Sequence, residues 1–331
     1  MNNKFRDKIF SIENQTDFRN VALQLFDYQY NNNTVYHDFA KQLKKYPDSV
    51  KKESDLPFLP VEFFRNHRLV TDNKQVEQVF ESSGTTGNLT GRHYVCDLGL
   101  YTESFVNSFR LFYGDPEDFM IAALLPSYTE RENSSLVYMA DSLIKMSRNR
   151  LSGFYREHEE ELIQNLLSAG ETESKALLLG VSFALLDLAE QKAPDLSGVI
   201  IMETGGMKGR RKELTRQELH TILKRGFNVP EIHSEYGMTE LLSQAYSKGK
   251  GIYYAPPWMK ILLRDPQDPL TIITEPGRTG GINIIDLANI YSCSFIATGD
   301  LGRLHEDGGF EVLGRFDNSD IRGCNLLCES S

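Results

Sequence analysis

Few cysteines stand in this chain, and their spacing suits neither a zinc site nor a disulfide framework. Cys96, Cys293, Cys324 and Cys328 are the only four in 331 residues, and no two form a C-x-x-C pair. Long apolar runs are also missing: nothing approaches the roughly 18–20 residues of a membrane span. The opening Met1–Phe10 carries charges but no apolar stretch behind them, which argues against a secretory signal. An excess of positive charge is lacking too. With 36 Lys and Arg against 46 Asp and Glu, the net charge is −10, a poor match for a phosphate backbone, so no nucleic-acid partner is expected. One local basic cluster, Lys208-Gly-Arg-Arg-Lys212, runs against that trend. Internal repeats and low-complexity linkers are absent. These absences leave a cytoplasmic chain with reduced thiols as the expectation.

What is present is the ordinary material of a globular protein, 40% hydrophobic and 25% charged. Residues 1 to about 75 read as a helical and extended segment: Phe18, Val21, Leu25 and Phe26 fall at helical spacing, a second short helix follows, and LPFLPVEFFRNH reads as an extended piece pinned against a core. Strand-like and helix-like stretches then alternate. FMIAALLPS, KALLLGVS and SGVIIMETGG have the length and apolarity of buried strands, and LGLYTESFVNSFRLFYG is an amphipathic helix closed by Gly114. In TRQELHTILKRG, Thr215 and Glu218 predict a capping box and Gly226 predicts the stop. The last hundred residues read as β-structure. The fold class expected is α/β, a mostly parallel sheet covered by helices, with a β-rich C-terminal portion.

Against this background one loop stands out. Ser82, Ser83, Gly84, Thr85, Thr86 and Gly87 form an unbroken run of hydroxyls and bare backbone amides between two predicted strands. An isolated Gly/Ser/Thr turn is often only a turn. Six such residues together can point amides and hydroxyls inward as a nest for anionic oxygen, with triphosphate the obvious guest. A Walker A loop is excluded, because no Lys-Ser/Thr follows and the next segment reads as a strand. Downstream, SEYGMTE places a ring, a hydroxyl and a carboxylate within five residues, at Tyr236, Thr239 and Glu240. These suit a purine, a phosphate and Mg²⁺. Thr298-Gly299-Asp300 offers a carboxylate after a tight turn for a ribose, and Gly314-Arg315-Phe316-Asp317 offers a charged pair at a bend. Singly, each is better read as a core Tyr, a turn Asp or a surface ion pair. Their order along one chain is the stronger signal.

Those four motifs, in that order from residue 82 to 317, resemble the adenylate-forming (ANL) superfamily of acyl-CoA synthetases, luciferases and adenylation domains. The resemblance implies that Tyr236 stacks on adenine, Thr239 touches the α-phosphate and Glu240 ligates Mg²⁺. It implies that Asp300 holds the ribose hydroxyls with help from Arg315, and that Gly205 and Gly206 form a second glycine turn near nucleotide and acyl group. ATP and Mg²⁺ are the cofactors it implies. Two departures stand beside it. The family's usual x-Pro-Lys after the loop is replaced by Asn88-Leu89-Thr90, with Arg92 the nearest cation, and the sequence runs only a short way past the hinge motif. The usual C-terminal small domain, whose lysine serves adenylation, is therefore expected to be lacking.

That shortened form is similar to one branch, the acyl-protein synthetases of the LuxE type. LPFLPVEFFRNH, TGGMKGRRKE and the ending DIRGCNLL carry the likeness. The branch implies that a cysteine near the C-terminus receives the acyl group as a thioester. Cys324 fits by its Arg-Gly-Cys context, with Cys328 the second candidate. Lys208 could supply the missing positive charge at the α-phosphate, or the KGRRK run could be a solvated approach to a helix. His93 and His233 flank the proposed site and read as packing or hydrogen-bonding residues. The expected layout is a segment over 1–75 packed on the core, an adenylate-forming core over 76–313 and a hinge-like tail over 314–331.

The function expected is activation of a carboxylic acid, a fatty acid by the resemblance, to acyl-AMP, followed by transfer to the protein's own cysteine for delivery to an acyl reductase. Two rivals remain at this point: an acyl-CoA ligase using a diffusible thiol, and a nucleotide-binding subunit of a reductase complex without catalysis.

Overall fold

The computed structural model describes residues 3–82, 90–126, 131–170, 175–205 and 214–316. In chain order the helices are α1 (Asn3–Phe10), α2 (Gln15–Asn32), α3 (Thr34–Gln42), α4 (Phe63–Asn66), α5 (Leu98–Tyr113), α6 (Ser135–Met146), α7 (Glu159–Gly170), α8 (Ser182–Gln191) and α9 (Arg216–Phe227). The strands are β1 (Leu59–Pro60), β2 (Gln78–Glu81), β3 (Arg92–Val95), β4 (Phe119–Leu124), β5 (Gly153–Phe154), β6 (Lys175–Val181), β7 (Val199–Thr204), β8 (His233–Tyr236), β9 (Ala245–Ser247), β10 (Ile252–Tyr253), β11 (Met259–Arg264), β12 (Ile272–Ile273), β13 (Thr279–Asp286), β14 (Phe295–Leu304) and β15 (Phe310–Arg315). They group into two compact units. The first takes the described residues of Met1–Glu77, His93–Cys96 and Pro257–Ser331; the second takes those of Gln78–Arg92 and Asp97–Pro256. No described helix is long and apolar enough to cross a membrane.

In the first unit, helices from the start of the chain pack on strands from its end. Helix α2 buries Phe18, Val21, Ala22, Leu25, Phe26 and Gln29, one stripe at helical spacing. Gln29 brings an amide into that apolar stripe and is fully matched there. Its Nε2 donates to the carbonyls of Asn289 (2.8 Å) and Ile290 (2.9 Å), and its Oε1 accepts from Ser294 N–H (3.0 Å). The strands run β15-β14-β13-β11-β12, all antiparallel, with β1 added in parallel on β14 through Leu59↔Ile296 and Pro60↔Ala297. The first half of LPFLPVEFFRNH is thus the extended piece expected, while its second half closes into α4.

The second unit is a sheet in the order β5-β4-β6-β7-β8-β9, parallel from β5 to β8 and antiparallel at β9. Strand β4 is buried at all six positions and β6 at six of seven. That is the pattern of strands covered on both faces. On one face Met120, Ala122, Leu178 and Ile201 join Leu162 and Leu166 of α7, Leu185 of α8 and Leu219, Leu223 and Phe227 of α9 in one apolar core. The opposite face carries the alternate residues, among them Thr204 and Glu235, with Tyr113 of α5 lying against His233.

Helix ends follow from local chemistry. Asp97 caps α5 by accepting from Leu100 N–H, and Thr215 with Glu218 forms the expected capping box on α9. The expected stop at Gly226 is corrected: α9 runs on to Phe227, and Asn228 ends it in the left-handed region at φ 53°. Gly226 serves packing instead. A Cβ there would sit 2.7 Å from Ala189 Cβ, so its bare backbone lets α9 close against α8.

Candidate active site

Among the described residues, the carboxyl ends of the parallel strands, where ligands of open α/β sheets bind, collect Gly205, Tyr236, Thr239 and Glu240. The register Thr204↔Glu235 sets Gly205, just past β7, beside Tyr236 at the end of β8. Gly205 has φ 68°, which a side chain would strain, and its carbonyl accepts from Ser182 Oγ (2.8 Å) at the end of β6. Tyr236 keeps only 8% exposure and meets Tyr253 edge-on with ring centroids 5.9 Å apart. The ring is packed rather than displayed, so a purine would meet only its small remainder.

Immediately after Tyr236 the chain turns. Leu241 N–H donates to Met238 O (3.0 Å), which places Thr239 and Glu240 in the middle of the turn. Glu240 is 6% exposed, and its carboxylate lies against the base of the hydroxyl loop. At that base Ser82 N–H donates to Gly91 O (2.9 Å) and Gly91 N–H donates to Ser82 Oγ (2.8 Å). A Cβ on Gly91 would stand 2.5 Å from Glu240 Oε1 and 3.2 Å from Ser82 Oγ. Ser82 and Glu240, 158 positions apart by their numbers, therefore converge on one bare backbone point where the loop leaves the sheet. Ser83, Gly84, Thr85, Thr86 and Gly87 lie outside the described residues, as do Gly206, Lys208, Asp317, Cys324 and Cys328.

The donor set suits Mg²⁺, which takes one or two carboxylates and completes its shell with substrate phosphates and water. Among the described residues no three His, Cys, Asp or Glu side chains gather as a ready-made cation site. A cation at Glu240 would depend on phosphate oxygens for the rest of its ligands.

In the first unit, Asp300 and Arg315 are register partners on β14 and β15, with Arg315 Nε 3.5 Å from Asp300 Oδ1. Asp300 is 13% exposed in its side chain and Arg315 81%, so the pair offers a half-sheltered carboxylate under an open guanidinium. Asp300 N–H donates to Thr298 Oγ1 (3.1 Å), and Thr298 Oγ1 donates in turn to Ile282 O (2.9 Å). Arg264, which no motif pointed to, braces the same turn by donating to Thr298 O (2.5 Å), Ile282 O (2.7 Å) and Asn283 Oδ1 (2.9 Å). Gly281 makes room for it: a Cβ there would lie 2.6 Å from the Arg264 Cζ.

Two buried carboxyls lie inside motif stretches without an expected role. Glu203, on the α9 face, accepts from Ser182 Oγ (3.1 Å) and Arg216 Nη1 (2.5 Å), with His220 Nε2 3.5 Å away. Burial alone would raise it, but His220 and the Arg216 charge hold it below the ordinary carboxylate range. Glu235, on the other face, accepts from Thr204 Oγ1 (2.5 Å), and burial pushes it up to about 7. His93 and His233 each set a ring nitrogen within hydrogen-bond distance of a hydroxyl, within the expected packing or hydrogen-bonding reading. His93 Nε2 lies 2.8 Å from Ser292 Oγ, and His233 Nδ1 3.1 Å from Tyr113 Oη. Cys96 and Cys293 are both buried, and burial pushes the Cys293 thiol up to about 12, so Cys293 offers no thiolate at neutral pH.

Comparison with solved structures decides the architecture. ATP-bound MatB from Rhodopseudomonas palustris superposes with a TM-score of 0.54 at 14% identity, over 72% of this chain and 48% of that one. The chain has the adenylate-forming fold. A luciferase-like enzyme from the mealworm Zophobas morio gives a TM-score of 0.50 at 18% identity, over 80% of this chain and 63% of its own. The chain spans about half the length of MatB and under two thirds of the mealworm enzyme. The resemblance to the acyl-protein synthetase branch returns in whole-chain similarity. The long-chain-fatty-acid–luciferin-component ligase of Vibrio harveyi is 23% identical over 326 residues, 91% of this chain and 84% of the relative. No family model matches the chain.

Proposed function

We propose that this adenylate-forming fold is an ATP- and Mg²⁺-dependent ligase of the acyl-protein synthetase branch, which activates a fatty acid and carries it on Cys324. The observation that supports the reading best is the convergence of Ser82, Gly91 and Glu240. It sets the carboxylate of the Tyr-Gly-x-Thr-Glu turn at the root of the hydroxyl loop, where a phosphate chain and its cation would both be held. The Vibrio harveyi relative's name supports the fatty acid and the ligase chemistry.

In the first step a carboxylate oxygen of the acid attacks the α-phosphorus of ATP. An O–P bond forms between the acid and the α-phosphate, the bond from the α-phosphorus to the bridging oxygen breaks, and pyrophosphate leaves. Amides and hydroxyls of residues 82–87 would hold the departing charge; one such donor is worth about a hundred- to a thousand-fold in rate. Thr239 would donate to the α-phosphate and Asp300 would accept from the ribose hydroxyls. Mg²⁺, when bound at Glu240, would neutralise phosphate charge. In the second step the Cys324 thiolate attacks the acyl carbon, a C–S bond forms, the C–O bond to AMP breaks, and the thiol proton goes to solvent. An acyl reductase would then take the acyl group. Burial of Cys96 and Cys293 supports the choice of a cysteine in the tail.

Incubation with labelled fatty acid, ATP and Mg²⁺ tests the reading. Wild type is expected to retain a hydroxylamine-sensitive label that Cys324→Ser lacks, while both exchange pyrophosphate into ATP in the presence of the acid. Equal labelling of the two proteins removes Cys324 as the carrier. Absence of acid-dependent exchange with a broad acid panel removes the ligase reading altogether.

A further inference from the structure

Glu235 precedes the Tyr236–Glu240 segment and is 7% exposed. Its two oxygens have different surroundings. Oε2 accepts from Thr204 Oγ1 on the neighbouring strand. Oε1 lies directly under Gly237, where any Cβ would overlap it, and Gln244 Cγ is 3.4 Å from that same point. Gly237 has no positive φ that would require glycine, so the carboxyl beneath it is the steric reason for the bare backbone. Among the described residues no cation pairs with Glu235. Glu203 adds a like charge from β7, and the phenol of Tyr246, the register partner on β9, faces it. Tyr113 of α5 meets the Tyr246 ring edge-on with centroids 5.4 Å apart, Tyr101 of α5 also acts on the Tyr246 phenol, and Tyr253 senses the Glu235 charge. Among the described residues, the buried Gln244 Oε1 and Tyr246 Oη have no hydrogen-bond partner. An ionised carboxylate in such a place is costly, whereas a neutral acid is compatible with it.

We propose that Glu235 is a positioning residue which holds the Tyr236–Glu240 turn in place as an uncharged acid, and that its ionisation releases that turn. The seat works through packing. Gly237 rests on Oε1, and the turn that carries Thr239 and Glu240 follows directly. A charge on the carboxyl is repelled by Glu203 and draws water or the whole side chain outward, taking away the support beneath Gly237. The burial-raised carboxyl, at about 7, places this change in the neutral range. The inference rests on the ligase reading only where activity is its readout.

The test compares wild type, Glu235→Gln and Thr204→Val in acid-dependent pyrophosphate exchange from pH 5.5 to 9, with thermal unfolding over the same range. The wild-type rate relative to Glu235→Gln is expected to fall about tenfold per pH unit above pH ~7, as one ionisation dictates. Thr204→Val removes a hydrogen bond that favours the ionised form, so its alkaline limb is expected at higher pH than the wild type's. Superposable pH profiles for wild type and Glu235→Gln overturn the proposal and leave the ligase reading standing. If Glu235→Gln does not fold, an unshifted limb in Thr204→Val overturns it. If no protein exchanges pyrophosphate at any pH, the ligase reading fails and unfolding decides. A melting temperature that falls with rising pH in wild type relative to Glu235→Gln supports the buried neutral acid, and parallel curves overturn it.

Discussion

Two glycines of the second unit each seat a carboxyl. Gly91 lies against Glu240 and Gly237 against Glu235, and in both cases a side chain on the glycine would collide with a carboxyl oxygen. Gly91→Ala should therefore displace Glu240 while leaving the surrounding strands formed. Acid-dependent pyrophosphate exchange is expected to drop by at least about tenfold with a raised Mg²⁺ requirement, and overpacking of this kind costs about 1–3 kcal/mol of stability by urea unfolding. An unchanged Mg²⁺ dependence would show that Glu240 does not meet the cation. At this scale the sequence announced residue types. Tyr236, Thr239, Glu240 and Asp300 were legible from motif order, and Gly205 from its turn. The glycine seats, Arg264 and Glu235 were not, because what marks them is a contact with a residue far along the chain or with a side chain whose direction depends on strand register.

Elements were legible wherever one period or one cap dominated. Strands β4, β6 and β7 are apolar runs of buried length, and α5 and α9 carry their own N-terminal caps. Loss of the capping box in Thr215→Ala is expected to cost about 1 kcal/mol, read from urea unfolding. Helices α6 and α7 were not among the expected elements, although Ser134 caps α6 by accepting from Val137 N–H and Glu159, Glu160 and Glu161 open α7 with acidic residues. Gly226 misled in the opposite direction. Glycine after a periodic run reads as a stop, but Asn228 supplies the left-handed residue two positions later, and Gly226 is kept for its closeness to Ala189. Gly226→Leu should force α8 and α9 apart. It is expected to destabilise by more than the Thr215→Ala change, although leucine is the better helix former. A neutral or stabilising effect would return Gly226 to a helix-ending role.

For the whole molecule, stability against pH should show two opposed contributions. Glu235 is raised to about 7 by burial first, so its contribution is full below its ordinary 4.5 and is lost as pH climbs through 7. His233 is lowered from 6.5 to about 4, by burial first and then by the Lys248 charge. Its contribution is full above 6.5 and is lost as pH falls through 4. Between 4.5 and 6.5 the two slopes oppose each other and flatten the wild-type curve. Glu235→Gln should uncover stability rising with pH toward 6.5, and His233→Gln should uncover stability falling from 4.5 to 7. Thermal unfolding of the three proteins across that range reads both slopes, and identical curves would refute the assignment.

The sequence alone determined the α/β class, the order of the four motifs and the resemblance to adenylate-forming enzymes, because strand periodicity and motif order are local properties that a linear reading preserves. Tertiary structure decided which residues share a point in space: Ser82 with Glu240 across Gly91, Thr204 with Glu235 under Gly237, Arg264 with the Thr298 turn. The physical reason is that strand pairing sets which side chains stand together. A register shift of one residue would turn each of them to the opposite face without altering a single letter.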